Sequence, residues 1–234
     1  MQLPFFYIEE FYDLESTILL SEETSRHVIQ VLRMKIGERL QLTNGKGILV
    51  AAEIIDEHKK QCKVKVVEVE KKHHSKVHNC IAISLLKNNS RFEWFLEKAT
   101  ELGISEIIPM FCHRTEKQHF RFDRMKNILV SAMLQSQQCW LPKLSEPAKF
   151  EAVCEKMADQ KFIAHCIETE KCNLSDLVNE SLTSRIILIG PEGDFTSEEV
   201  QRAVVDHFIP VTLGYTRLRT ETAGMVAATL LSLI

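Results

Sequence analysis

Apolar and polar positions alternate along this chain in two different rhythms, and the change falls near residue 72. In the first stretch the apolar positions recur every second residue. Ile18-Leu19-Leu20 reads as a short strand. Arg39 to Thr43 alternates, and Ile48 to Ile55 returns after Asn44-Gly45, a dipeptide that favours a tight hairpin turn. Cys62 to Glu70 alternates again, with Val64, Val66 and Val69 among lysines and glutamates. Between the first two strands, Ser21 is placed to cap a short helix whose first turn holds Glu22 and Glu23, where negative charge suits the helix dipole. Val28, Val31 and Leu32 are the expected buried stripe of that helix. Several short strands closed by turns predict a small β-barrel over residues 1–72.

Lys71-Lys72-His73-His74-Ser75-Lys76 is polar and basic and reads as a linker, which puts the boundary within 71–78. Beyond it the rhythm lengthens. Ile81 to Leu86 is a strand, Arg91 to Leu102 a helix stopped by Gly103, and Glu106 to Met110 another strand. Phe122 to Gln138 has helical spacing through Met125, Ile128, Leu129, Ala132 and Met133. Phe162 to Cys166, Ile186 to Ile189 and Val211 to Leu213 complete the strands. Strands alternating with helices predict an α/β domain with a parallel sheet over residues 73–234.

Two segments carry the candidate chemistry, each an apolar strand that runs into a glycine-bearing turn and then a helix. The first is Ile189-Gly190-Pro191-Glu192-Gly193-Asp194-Phe195, followed by Thr196-Ser197-Glu198-Glu199, which fits a capping box. With no GxxxxGK[ST] or GxGxxG in the chain, this turn alone reads as an ordinary tight turn as readily as a ligand loop. The second runs from Leu213-Gly214 through Leu218-Arg219-Thr220-Glu221-Thr222-Ala223 into the small, apolar Gly224-Met225-Val226-Ala227-Ala228. Arg219 and Glu221 lie between an apolar strand and an apolar helix, where plain solvation explains them poorly. Together the two turns predict a ligand site built from backbone groups at a sheet edge. His165 follows an apolar strand, and both a pocket-lining and a satisfied core histidine fit that position.

Composition narrows the function classes. The 234 residues are 45% hydrophobic, enough for a sizeable core, and the net charge of −3 excludes a globally basic nucleic-acid coat. Local basic clusters remain, and Arg26, Arg33, Lys35, Lys87, Arg91 and Arg114 are the candidate RNA contacts. Seven scattered cysteines without a CxxC pair argue against a disulfide framework and for a reducing cytoplasm. No apolar run reaches the length of a membrane span, and the opening Met1-Gln2-Leu3-Pro4-Phe5-Phe6 lacks signal-peptide character. His73, His74, His78 and Cys80 match no standard metal spacing, so no metal is expected.

The two C-terminal segments resemble the cofactor loops of the SPOUT superfamily of knotted methyltransferases, and more closely those of the RsmE family. The resemblance runs almost end to end. His27-Val28-Ile29-Gln30-Val31-Leu32-Arg33 is similar to that family's PUA-like N-terminal barrel, and Glu97-Lys98-Ala99-Thr100-Glu101-Leu102-Gly103 with Ile107-Ile108-Pro109 to its first catalytic-domain helix and strand. The resemblance implies a SPOUT α/β trefoil-knot domain behind a PUA-like β-barrel. It implies methylation of uridine N3 in 16S ribosomal RNA, free or in the small ribosomal subunit, by a homodimer that uses S-adenosyl-L-methionine. The expected cofactor contacts are Ile189, Gly190, Glu192 and Gly193 from the first loop, with Leu213, Gly214, Leu218, Thr220, Thr222 and Ala223 from the second, and His165 beside them. Arg219 and Glu221 are the expected catalytic pair: the one stabilises charge on the uracil, the other takes its proton or orients Arg219. A knotted enzyme acting on another RNA and a non-catalytic assembly factor of the same fold are the alternatives. Two places depart from the family pattern. Leu134-Gln135-Ser136-Gln137-Gln138 stands where Glu-Gln-Ser-Gly-Arg is common, and Asp194 where a third glycine is common.

Overall fold

The structure, a computed structural model, describes residues 3–10, 16–73, 75–117, 119–179 and 181–233. Met1 and Gln2 of the opening segment and His74 of the linker lie outside the described residues. The chain divides into two compact units, residues 1–74 with 133–141, and residues 75–132 with 142–234.

The first unit is one five-stranded sheet: β1 (Phe5–Tyr7), β2 (Thr17–Leu19), β3 (Arg39–Thr43), β4 (Ile48–Asp56) and β5 (Lys63–Lys71), in the order β1-β3-β4-β5-β2. β1 runs parallel to β3 and the other pairs are antiparallel. The result is a half-barrel. Alternate residues of the long strands, among them Leu40, Leu42, Val50, Ala52, Ile54, Val64 and Val66, form its core. Helix α1 (Glu22–Arg26) starts as expected, with Ser21 Oγ accepting from Thr24 N. Its continuation differs. His27–Val31 is a π-helical turn, closed by Leu32 N donating to His27 O over 2.9 Å. The wider turn carries Val31 and Leu32 off the buried face, while Ile29 still packs against the core. Val28 is buried, whereas Val31 and Leu32 are 68% and 42% exposed, so the expected three-residue stripe reduces to one residue. Arg33 then turns the chain with a left-handed φ of 57°.

The hairpin at Asn44-Gly45 forms as expected, with Asn44 Oδ1 accepting from Lys46 N. Residues 139–141 return to it. Gly47 N donates to Cys139 O and Leu141 N to Gly45 O, both at 2.8 Å, and the Trp140 ring fills the place a Cβ on Gly47 would need. The helix before this return ends at Gln135, earlier than the spacing suggests. Gln137 takes a φ of 58° at the position where the family pattern has glycine, and Gln138 N closes the turn on Met133 O.

The second unit is a parallel sheet covered by helices. In chain order it runs β6 (His78–Ser84), α2 (Asn89–Glu101), β7 (Glu106–Phe111), α3 (Phe122–Gln135), β8 (Lys143–Leu144), β9 (Ala148–Lys149), α4 (Phe150–Cys154), β10 (Gln160–Ala164), β11 (Cys172–Asn173), α5 (Leu174–Leu177), β12 (Ser184–Ile189), α6 (Ser197–Val205), β13 (Ile209–Thr212) and α7 (Thr220–Ser232). The strand order is β11-β13-β10-β12-β6-β7-β8, with β9 also paired to β7. Gly103, at φ 75°, ends α2 as its position suggests. α7 leaves the strand next to one sheet edge and packs back over α2, β6 and β12 in the middle of the sheet. It fits there because Gly224 has no side chain: a Cβ would lie 2.7 Å from the Phe95 ring and 2.9 Å from Ile83 Cδ1.

At the edge where the parallel strands begin, Glu106 is buried under cations. Its Oε1 accepts from Ser145 Oγ at 2.7 Å, Lys143 Nζ at 3.0 Å and Lys156 Nζ at 3.1 Å, and His78 Nε2 lies 3.7 Å from Oε2. Burial alone would raise its pKa. Donation from Ser145, Lys143 and Lys156 outweighs burial and holds the carboxyl down at about 2.

Candidate functional site

β10, β12 and β13 end side by side at Ala164, Ile189 and Thr212, and the loops that follow enclose a cavity of about 520 Å3. That volume lies within the range of small-molecule sites, roughly 300–1,000 Å3. The loop after β12 turns tightly, with Asp194 N donating to Pro191 O at 2.9 Å. It then enters α6 through the predicted capping box, Thr196 with Glu199. Asp194 holds a left-handed φ of 64° and its Oδ2 accepts from Cys166 N at 2.8 Å, which ties the loop to the segment after β10. The replacement of a common glycine here therefore adds a tether.

The loop after β13 behaves differently. Gly214 has a φ of 145°, and a Cβ there would meet nothing within 4 Å. Space is left open beside a backbone that side chains rarely adopt, which suits close approach by a ligand. Gly190 is the contrary case. A Cβ there would sit 3.0 Å from the Phe195 ring, so a bulky replacement clashes inside the protein before it meets a ligand.

The cavity brings together Ile189, Gly190, Glu192, Leu213, Gly214, Leu218, Thr220, Ala223 and His165, with Arg219 on its wall. Gly193, Thr222 and Glu221 are absent from the wall among the described residues. Gly193 is backed by Arg114, whose guanidinium donates to Gly193 O at 2.6 Å. His165 is 7% exposed, and neither ring nitrogen has a hydrogen-bond partner among the described residues. Burial lowers its pKa, Lys171 lowers it further, and Asp194 opposes them. The ring is neutral at pH 7 and offers one donor and one acceptor. The Ile167 backbone joins Asp194 in opposing the fall in pKa, and the ring's place on the cavity wall fits the pocket-lining reading.

Arg219 is exposed as the N-cap of α7, so its charge is solvated, contrary to the expectation from the apolar flanks. Glu221 is buried at 7% exposure and pairs with Arg91 on α2, Nε to Oε1 at 3.6 Å. Its Oε2 is buried without a hydrogen bond among the described residues. The pairing with Arg91 replaces the expected orientation of Arg219 by Glu221. Sequence spacing gave no signal for it, because the two residues are 130 positions apart.

The candidate RNA contacts are dispersed. Arg26 pairs with Glu22, Lys35 with Glu57 at 3.8 Å and Lys87 with Glu116 at 2.8 Å. Arg33 and Lys35 project from an exposed stretch of the half-barrel that also holds Val31, Leu32 and Ile36. No helix among the described residues is long and apolar enough to cross a membrane.

Comparison with known proteins agrees with this geometry. The RNA methyltransferase domain family matches residues 71–232, and the RNA methyltransferase PUA domain matches residues 20–67. A ribosomal RNA small subunit methyltransferase E from Buchnera aphidicola (subsp. Acyrthosiphon pisum) is 32% identical, over 98% of this chain and 93% of the relative. A probable rRNA-methyltransferase from Porphyromonas gingivalis superposes with a TM-score of 0.91 at 34% identity, covering 97% of this chain and 96% of that one. A ribosomal RNA small subunit methyltransferase E from Neisseria gonorrhoeae bound to S-adenosyl methionine superposes with a TM-score of 0.88 at 28% identity, over 97% and 96%. With a PUA-like half-barrel ahead of a parallel α/β unit, and relatives aligned over nearly its whole length, the chain belongs to the RsmE family of ribosomal RNA small subunit methyltransferases.

Proposed function

We propose that this protein methylates N3 of a uridine in the 16S RNA of the small ribosomal subunit, with S-adenosylmethionine as methyl donor, in the cytoplasm and as a homodimer. The observation that carries the reading is the cavity between the two glycine loops, with the neutral, unpartnered His165 inside it and Arg219 on its wall. These residues fit the cofactor: open backbone at Gly214 and orphan polar atoms at His165 suit an adenosyl group held largely by main-chain contacts. The names of the relatives, and the bound donor in the gonococcal structure, support the same choice.

S-adenosylmethionine supplies an electrophilic methyl on a sulfonium, and its transfer leaves a neutral thioether. The remaining work falls to the protein. Uracil N3 bears a proton that must leave before nitrogen can attack. Arg219, free of ion pairs among the described residues, stabilises the negative charge that develops on the uracil oxygens. Glu221, buried behind the cavity wall and paired with Arg91, holds the first turn of α7 beside Arg219. The two loops would hold S-adenosylmethionine and orient the uridine towards its methyl group, with the base unstacked to reach the cavity. The half-barrel over residues 1–72 grips the RNA backbone, with Arg33 foremost. The path of α7 back over the middle of the sheet fits the threaded helix of a trefoil knot.

Mass mapping of modified nucleosides in ribosomal RNA from cells with and without the protein tests the reading. A single N3-methyluridine should vanish from small-subunit RNA and return with wild type. An unchanged map overturns the reading and leaves a non-catalytic assembly factor or another RNA substrate.

A further inference from the structure

Another cavity of about 390 Å3 opens in the α/β unit and shares no lining residue with the first. Its floor is apolar: Leu85 and Leu86 directly after β6, Phe92 on α2 and Met125 on α3, all buried. Phe120 is half-buried and stands edge-on to Phe92, ring centroids 6.2 Å apart. Asn89, Lys117, His119 and Arg121 complete the lining.

The charges around this cavity are unequal. Lys87 and Arg124 nearby are neutralised, by Glu116 at 2.8 Å and Glu93 at 2.6 Å. Lys117, His119 and Arg121 have no acidic partner among the described residues. α2 begins at Asn89 with no acidic residue in its first turn, so the N–H groups there, beyond Ser90 N capped by Asn88 Oδ1, add positive potential. Uncompensated positive charge over an aromatic floor selects among ligands. A purely apolar ligand has no use for the cations, and a plain acidic group none for the rings. A nucleotide uses both, its base on the rings and its phosphate on the cations.

The position is equally telling. Arg91 stands between Asn89 and Phe92 on the first turns of α2, and it pairs with Glu221 in the first turn of α7, whose neighbours Thr220 and Ala223 line the first cavity. The start of α2 thus lines this cavity and reaches, through Arg91, the first turn of α7, which contributes Thr220 and Ala223 to the other. We propose that this cavity is a subsite for an RNA nucleotide adjacent to the one that is methylated, its base against Phe92 and Phe120 and its phosphate on Lys117 and Arg121. The proposal rests on the RNA substrate proposed above.

The test is steady-state methylation of small-subunit ribosomal RNA by the full chain carrying Phe120→Ala, Phe120→Trp, Lys117→Ala or Arg121→Ala. Phe120→Ala should raise KM for RNA about tenfold, in line with the loss of one stacked base, while cofactor Kd and kcat at saturating RNA change less than twofold. Phe120→Trp, which keeps a stacking ring, should restore most of the lost affinity. Lys117→Ala and Arg121→Ala should each reduce the slope of log affinity against log salt by about one. These two residues are at least partly exposed, so their variants read the subsite even if Phe120→Ala loosens the fold. An active wild type whose variants keep the wild-type KM and salt slope overturns the subsite alone. A wild type that binds S-adenosylmethionine yet methylates no RNA overturns the functional reading and the subsite with it.

Discussion

At the edge where the parallel strands begin, Glu106 is 5% exposed and answered by three donors. At the edge where they end, His165 is 7% exposed and answered by none. The two residues are buried to nearly the same degree in one sheet. Buried polar groups cost free energy unless they are hydrogen-bonded, so the first arrangement stabilises the fold and the second stores an unmet demand. Glu221 Oε2, one turn from the cavity loops, repeats the second pattern. Burial alone therefore does not mark a working residue here. Neither does a missing partner by itself, since Asn79 Oδ1 near the start of β6 is also buried without one among the described residues; His165 is set apart because it lines the cavity as well.

The contrast can be broken by substitution. The largest effect is expected at the open edge: Arg219→Ala should lower kcat by about 100-fold or more, as loss of a charge-stabilising donor does, with cofactor Kd within a few-fold of wild type. Equal losses in both would remove Arg219 from the chemical step. Glu106→Gln should instead cost stability, up to roughly 3 kcal/mol near neutral pH by urea titration, with cofactor affinity intact. The sign is fixed by the folded pKa of about 2, below the unfolded value of about 4.3. The stabilisation is complete above the unfolded pKa and is lost as pH falls from there towards 2, so wild type and variant should converge in acid.

His165→Phe should weaken cofactor binding about tenfold in calorimetry, near 1.4 kcal/mol, and leave thermal stability unchanged or improved because two orphan nitrogens disappear. Wild-type affinity should also fall as pH drops below 6.5 towards the lowered pKa of the imidazole, and the variant should lose that dependence. Asp194→Gly is the smallest case. Glycine relieves the left-handed backbone and removes the acceptor for Cys166 N, two effects of about 1 kcal/mol with opposite sign. Stability should stay within about 0.5 kcal/mol, while amide exchange at Cys166 accelerates.

The two glycine turns, the capping box at Thr196 and the stop at Gly103 were legible because each depends on residues a few positions apart. The same holds for the Asn44-Gly45 hairpin and the strand periods. The misread stripe at Val31 and Leu32 has a local cause of another kind. A π-helical turn does not keep the 3.6-residue period from which the stripe was drawn. What remained hidden joins distant parts of the chain: Arg91 with Glu221, Arg114 with the Gly193 carbonyl, Cys166 with Asp194. No periodicity encodes such pairs, and they hold the residues of the two glycine-bearing loops from behind the cavity.

The chain passes between its two units at residues 74/75, 132/133 and 141/142. In the half-barrel, the Gly47 N–H and the Gly45 carbonyl find their partners, among the described residues, in Cys139 and Leu141. During synthesis the amino-terminal unit therefore cannot finish folding when its own last strand emerges. It must wait, one hairpin end open to water, until some seventy further residues have left the ribosome exit tunnel, a count set by the gap between Lys71 and Leu141.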